Sequence, residues 1–114
     1  MREPSHGETP ERAFERAWAE AVLARTLARL EEDYGARGKG ALFEALREHL
    51  VGEAGGTPYA ALGARLGLSE GAVKVAVHRL RARYRAHLRR EVAHTVAEPA
   101  DVEDELRSLF EALG

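Results

Sequence analysis

The chain has 114 residues, enough for one modest hydrophobic core, and carries 45% hydrophobic and 32% charged residues with a net charge of −2. That hydrophobic content excludes a fully disordered chain, and the absence of cysteine excludes a disulfide framework or a thiolate metal site. No apolar run approaches membrane-spanning length and the first residues lack the apolar core of a signal peptide, so the expected location is the cytoplasm.

Ala, Leu, Glu and Arg dominate, all good helix formers, and runs of Val and Ile are absent. The expectation is an all-α fold: a small domain of about five helices. Residues 1–10 hold two prolines and no periodic pattern, and read as a flexible leader or linker. A long helix follows from Pro10 or Glu11 to Tyr34. Its apolar stripe is Phe14, Trp18, Val22, Leu23, Leu27, Leu30 and Tyr34, with Trp18 read as core.

The segment Gly35 to Gly40 is expected to break that helix. Its glycines and Lys39 do not match the phosphate-loop spacing and no strand precedes them, so it reads as a loop, with Arg37 or Lys39 within reach of a DNA phosphate. A second helix is expected from Lys39 to Val51, with Leu42, Phe43, Leu46 and Leu50 inward and Gly52 ending it. The run 52–56 is a connection.

From Pro58 to Arg90 the pattern is a short helix, a tight turn and a longer basic helix. Thr57 suits an N-cap and Pro58 the first helical position. Leu62 and Leu66 lie one turn apart, and Gly63 allows close approach. Gly67 stands where a left-handed turn costs glycine little. Ser69 caps the next helix, in which Val73, Ala76, Val77, Leu80 and Tyr84 face inward. This is the spacing of a helix-turn-helix. Outward lie Lys74, Arg79, Arg81, Arg83, Arg85, Arg89 and Arg90, and no acid falls between Glu70 and Glu91. A polyanion is the natural partner of such a face.

The basic helix is expected to run to Val92 or as far as Val96, with Glu98-Pro99 as its stop. The last helix, Asp101 to Leu113, has Val102, Leu106, Leu109, Phe110 and Leu113 as its stripe and acids in its first turn. From Thr95 onward six acids face Arg107 alone, so the small net charge of −2 hides a basic stretch followed by an acidic one. The expected organisation is a leader over 1–10, a domain over 11–96 and an acidic amphipathic helix over 97–114.

Leu68-Ser69-Glu70-Gly71-Ala72-Val73-Lys74, followed by Arg79-Leu80-Arg81, resembles the C-terminal (region 4) helix-turn-helix of bacterial sigma factors, most closely the extracytoplasmic-function group. Tyr59-Ala60-Ala61-Leu62-Gly63 is similar to the opening of the same motif. The likeness covers about residues 10 to 95 and is specific only in the helix-turn-helix. It implies recognition of the upstream (−35) promoter element and docking on the β flap of RNA polymerase core, with an anti-sigma factor as a further partner. Gly71, Lys74, Val75, His78 and Arg79 then face the major groove. Lys74 or Arg79 can donate to guanine, and Val75 can meet a thymine methyl. Arg81, Arg83 and Arg85 are expected on phosphates. Val75 and Ala76 stand where the family usually has serine and arginine, and Ala61 where it has an acid, so base preference does not carry over. The promoter-melting region 2 is absent from this sequence, which is expected to be the C-terminal part of a longer protein.

The alternative functions are a stand-alone helix-turn-helix regulator, or a protein-interaction domain that dimerises or binds an anti-sigma factor. His87, Glu91 and His94 have a spacing that can gather metal ligands on one helix, but no fourth ligand is evident, so a solvated face is expected. No catalysis, cofactor or metal is expected.

Overall fold

In the computed structural model, which describes residues 9–50, 56–95, 98 and 101–113, every regular element is helical. The fold is all-α, as expected. The described helices are α1 (Pro10–Ala36), α2 (Gly40–Leu46), a 3₁₀ turn (Arg47–His49), α3 (Tyr59–Leu66), α4 (Glu70–Ala93) and α5 (Val102–Leu113). None is long and apolar enough to cross a membrane.

The helix ends follow from single residues. At the start of α1 the Thr9 hydroxyl accepts the Arg12 N–H at 3.1 Å, with Pro10 in the first helical position, where its missing N–H has no cost. The helix ends within the segment expected to break it, one residue past Gly35. The stop comes at Gly38, whose φ of 72° is left-handed, and the Lys39 N–H then closes on the Tyr34 carbonyl at 2.8 Å.

The second helix is shorter than its apolar pattern. It tightens at Arg47 into the 3₁₀ turn, a frequent end to a helix, and His49 is buried there together with Phe43 and Leu46. Val51 and Gly52 lie outside the described residues. Pro58 precedes α3 rather than opening it: its extended backbone (φ −56°, ψ 146°) makes it the N-cap, and its carbonyl accepts the Leu62 N–H at 3.0 Å. Thr57 gives no side-chain cap. Its N–H goes to Glu48 and its carbonyl to His49, at 2.8 and 2.9 Å.

Between α3 and α4 the chain reverses on Gly67 (φ 71°, ψ 31°). The N–H groups of Gly67 and Leu68 both reach the Gly63 carbonyl. Gly63 is buried, and a Cβ there would lie 2.4 Å from the Leu68 carbonyl oxygen. Ser69 then caps α4, its hydroxyl accepting the Ala72 N–H at 3.1 Å. At the far end, α4 stops at Ala93, and the Thr95 hydroxyl donates to the Val92 carbonyl at 2.7 Å. Val96 and Pro99 lie outside the described residues. The first turn of α5 carries Glu103, Asp104 and Glu105, where the helix dipole favours acids.

The chain gathers into two compact parts. One takes α1 up to Leu27, α4 from Leu88, and α5; it buries Ala19, Val22, Leu88, Val92, Leu106 and Leu109. Within it Arg25 pairs with Glu91 at 3.4 Å, and Arg89 of α4 pairs with Glu103 of α5. The other runs from Ala28 to His87 and buries Leu30, Tyr34, Phe43, Leu46, Leu62, Val73, Val77 and Leu80, with the Tyr34 and Phe43 rings 5.8 Å apart. Each fully buried side chain of this kind stabilises by about 1.5–3 kcal/mol.

Two aromatic residues depart from the expected stripes. Phe14 is 76% exposed and Phe110 58% exposed. Phe14 lies in the first turns of α1, where Glu11 to Ala17 are all exposed. On α5 the buried face is centred on Leu106 and Leu109, and Phe110 follows Leu109 by the 100° that turns a helical residue toward water.

Candidate nucleic-acid interface

Burial splits the first half of α4 cleanly by helical period. Val73, Val77 and Leu80 are buried, and Ala76 is half-buried. Gly71, Lys74, Val75, His78 and Arg79 are all exposed, Val75 at 50%. The five residues expected to meet a groove therefore share the outward side of one capped helix. Among the described residues, Lys74 and Arg79 have no hydrogen bond or ion pair to the protein. Two cationic donors flank an apolar valine on this face, a set suited to base edges and a thymine methyl.

The three arginines expected on phosphates divide. Arg85 is exposed and likewise unpaired among the described residues. Arg81 is half-buried, and its Nε donates to the His49 carbonyl at 2.9 Å. Arg83 is half-buried and its Nη1 meets Asp33 Oδ2 at 3.1 Å. The same carboxylate oxygen accepts from His87 Nε2 at 3.1 Å, and Oδ1 accepts from Arg37 Nε at 2.9 Å. Of the two loop cations, Arg37 is thus drawn to Asp33, while Lys39 is exposed.

Burial alone would raise the Asp33 carboxyl. The hydrogen bonds from His87 and Arg37, with the charges of Arg37 and Arg83, outweigh it and hold the group below the ordinary 3.8. Glu48 is also held low, by hydrogen bonding from the Thr57 side chain and N–H. Burial pushes the Tyr34 and Tyr84 hydroxyls above their ordinary value of 10.0.

His87, Glu91 and His94 do not act as one group. His87 turns to Asp33 and Glu91 to Arg25. No three His, Asp or Glu side chains among the described residues come together as a metal site.

Asp33, Glu48 and His49 were not singled out by sequence. His49 had a readable signal, since it follows Phe43 and Leu46 at helical spacing on the buried stripe. Asp33 had a weaker one, an acid four residues before Arg37. Comparison with protein-family models, with curated proteins and with solved structures finds no match.

Proposed function

We propose that α3, the Gly67 turn and α4 form a DNA-binding helix-turn-helix, with α4 as the helix that enters the major groove. The observation that carries this reading is the exposed face Gly71, Lys74, Val75, His78 and Arg79, on a capped helix that has no acid from 71 to 90. The likeness of Leu68 to Lys74 and of Arg79 to Arg81 to sigma region 4 supports a more specific role. In that role the chain recognises the upstream promoter element in double-stranded DNA, docks on the β flap of RNA polymerase core, answers to an anti-sigma factor and works in the cytoplasm without catalysing a reaction. Lys74 and Arg79 read base edges, and Arg85 holds phosphate.

Selection from a randomised duplex library, followed by affinity measurements across a salt series, tests the reading. The expected result is one enriched sequence and an affinity that falls steeply with salt, by a log–log slope of about 0.9 per phosphate contact. No enrichment and a flat salt response would overturn it.

The exposed Phe14 and Phe110 favour a second reading, a protein-interaction domain that dimerises or binds an anti-sigma factor. Sedimentation of the chain alone distinguishes them: a monomer that binds DNA supports the first, a stable dimer indifferent to DNA the second.

A further inference from the structure

Arg81 follows Lys74 by seven residues, at the flank of the exposed face of α4, yet its side chain is turned toward protein. Its Nε–H donates to the His49 carbonyl at 2.9 Å. That carbonyl closes the 3₁₀ turn, where the last acceptors of a helical segment lack partners of their own. The same turn grips the start of α3 on both sides of one residue. Glu48 Oε1 accepts the Thr57 N–H at 2.8 Å, and His49 Nε2 donates to the Thr57 carbonyl at 2.9 Å. The His49 ring stands edge-on to Tyr59, the first residue of α3, at 5.0 Å. Gly56 lies against the ring so closely that a Cβ would fall 2.7 Å from His49 Cε1.

Two adjacent residues, Glu48 and His49, thus hold the entry of α3, and His49 is also tied to the middle of α4. We infer that Arg81 is a positioning residue of the reading helix, holding α4 to the His49 carbonyl so that Lys74, Val75 and Arg79 present one fixed face, and that phosphate contact falls to other cations. This rests on the DNA-binding reading above. An arginine suits the task because its planar guanidinium carries an N–H close to the stem, which a lysine ammonium cannot supply at the same place.

The two roles separate by experiment on the full chain, with the duplex enriched by the wild-type protein and a scrambled duplex of equal length as probes. Arg81→Met removes charge and donor together. A positioning role leaves the salt slope unchanged and lowers the enriched-to-scrambled affinity ratio about tenfold. Arg81→Lys keeps the charge and is expected to lower the ratio as well. A phosphate role predicts the reverse: Arg81→Met reduces the slope by about 0.9 at constant ratio, and lysine restores wild-type binding. That pattern would overturn the inference. Should neither variant fold by circular dichroism, Gly56→Ala disturbs the His49 ring without changing charge; a reduced ratio supports the inference and a wild-type ratio overturns it. If the wild-type protein enriches no duplex, the DNA reading falls first and takes this one with it.

Discussion

Two stretches of α4, one before and one after Leu80, carry the same kind of residue and use it differently. From Gly71 to Arg79, Lys74 and Arg79 are exposed, with no hydrogen bond or ion pair among the described residues. From Arg81 to Glu91, Arg81 meets a backbone carbonyl, Arg83 and His87 meet Asp33, Arg89 meets Glu103 and Glu91 meets Arg25; only Arg85 and Arg90 stay unpaired among the described residues. A run of seven basic residues is therefore not one surface. Four of its charges remain available to an external anion, and three are spent on holding the fold. The salt dependence of any polyanion complex follows the smaller number.

The comparison breaks most severely if α5 is removed. Truncation after Glu98 strips Leu106 and Leu109 from their buried positions and is expected to lower stability by at least about 3 kcal/mol, read by urea denaturation. It also releases Arg89 from Glu103 and deletes the acidic segment, so DNA affinity at low salt is expected to rise severalfold. Lower stability with unchanged affinity would mean that the acids of α5 do not compete with phosphate.

A smaller effect sharpens the contrast between the two stretches. Arg79→Ala is expected to cost about 1–3 kcal/mol of binding at the selected sequence and to leave the melting temperature unchanged. Arg83→Ala should lower the melting temperature slightly, by about 0–1 kcal/mol of stability, since the pair is partly exposed and Asp33 keeps Arg37 and His87. Equal behaviour of the two variants in both assays would erase the distinction.

The smallest expected effect is in acid. The Asp33 pKa is depressed in the folded chain, so its contribution to stability is complete above the ordinary aspartate value of 3.8 and is lost as the pH falls through the lower folded value. Denaturation of the wild type and of Asp33→Asn across the acid range checks this. The variant is expected to show a shallower fall, and parallel curves would mean that the bonds of Asp33 to Arg37, Arg83 and His87 add no stability.

Much of the fold was legible because helical burial is local and periodic. Val73, Val77 and Leu80 announce the inner side of α4 by spacing, and Ser69, Pro10 and Gly67 announce its ends and those of its neighbours by backbone chemistry. Phe14 and Phe110 were misplaced because periodicity gives a direction around a helix but not the extent of what covers it. The segment Gly35 to Gly40 ends α1 as expected, and the residue that supplies the left-handed turn is Gly38. The outward face of α4 was readable as exposure. The commitments of Arg81 and Arg83 were not, because their partners lie 32 and 50 residues away, and a long-range polar contact leaves no repeat in the sequence.

Gly63 and Gly71 look alike in a composition count and would behave oppositely under random mutation. A methyl group at 63 meets the Leu68 carbonyl oxygen, a backbone atom that cannot swing aside, whereas at 71 it meets nothing within 4 Å. In a library selected only for folding, position 63 stays glycine and position 71 drifts to alanine, which a helix favours by up to about 1 kcal/mol. Adding a second selection for binding asks a different question of the same library. A glycine then retained at 71 marks a surface from outside the chain that comes too near for one methyl, and the variant frequencies would disclose that contact before its owner is known.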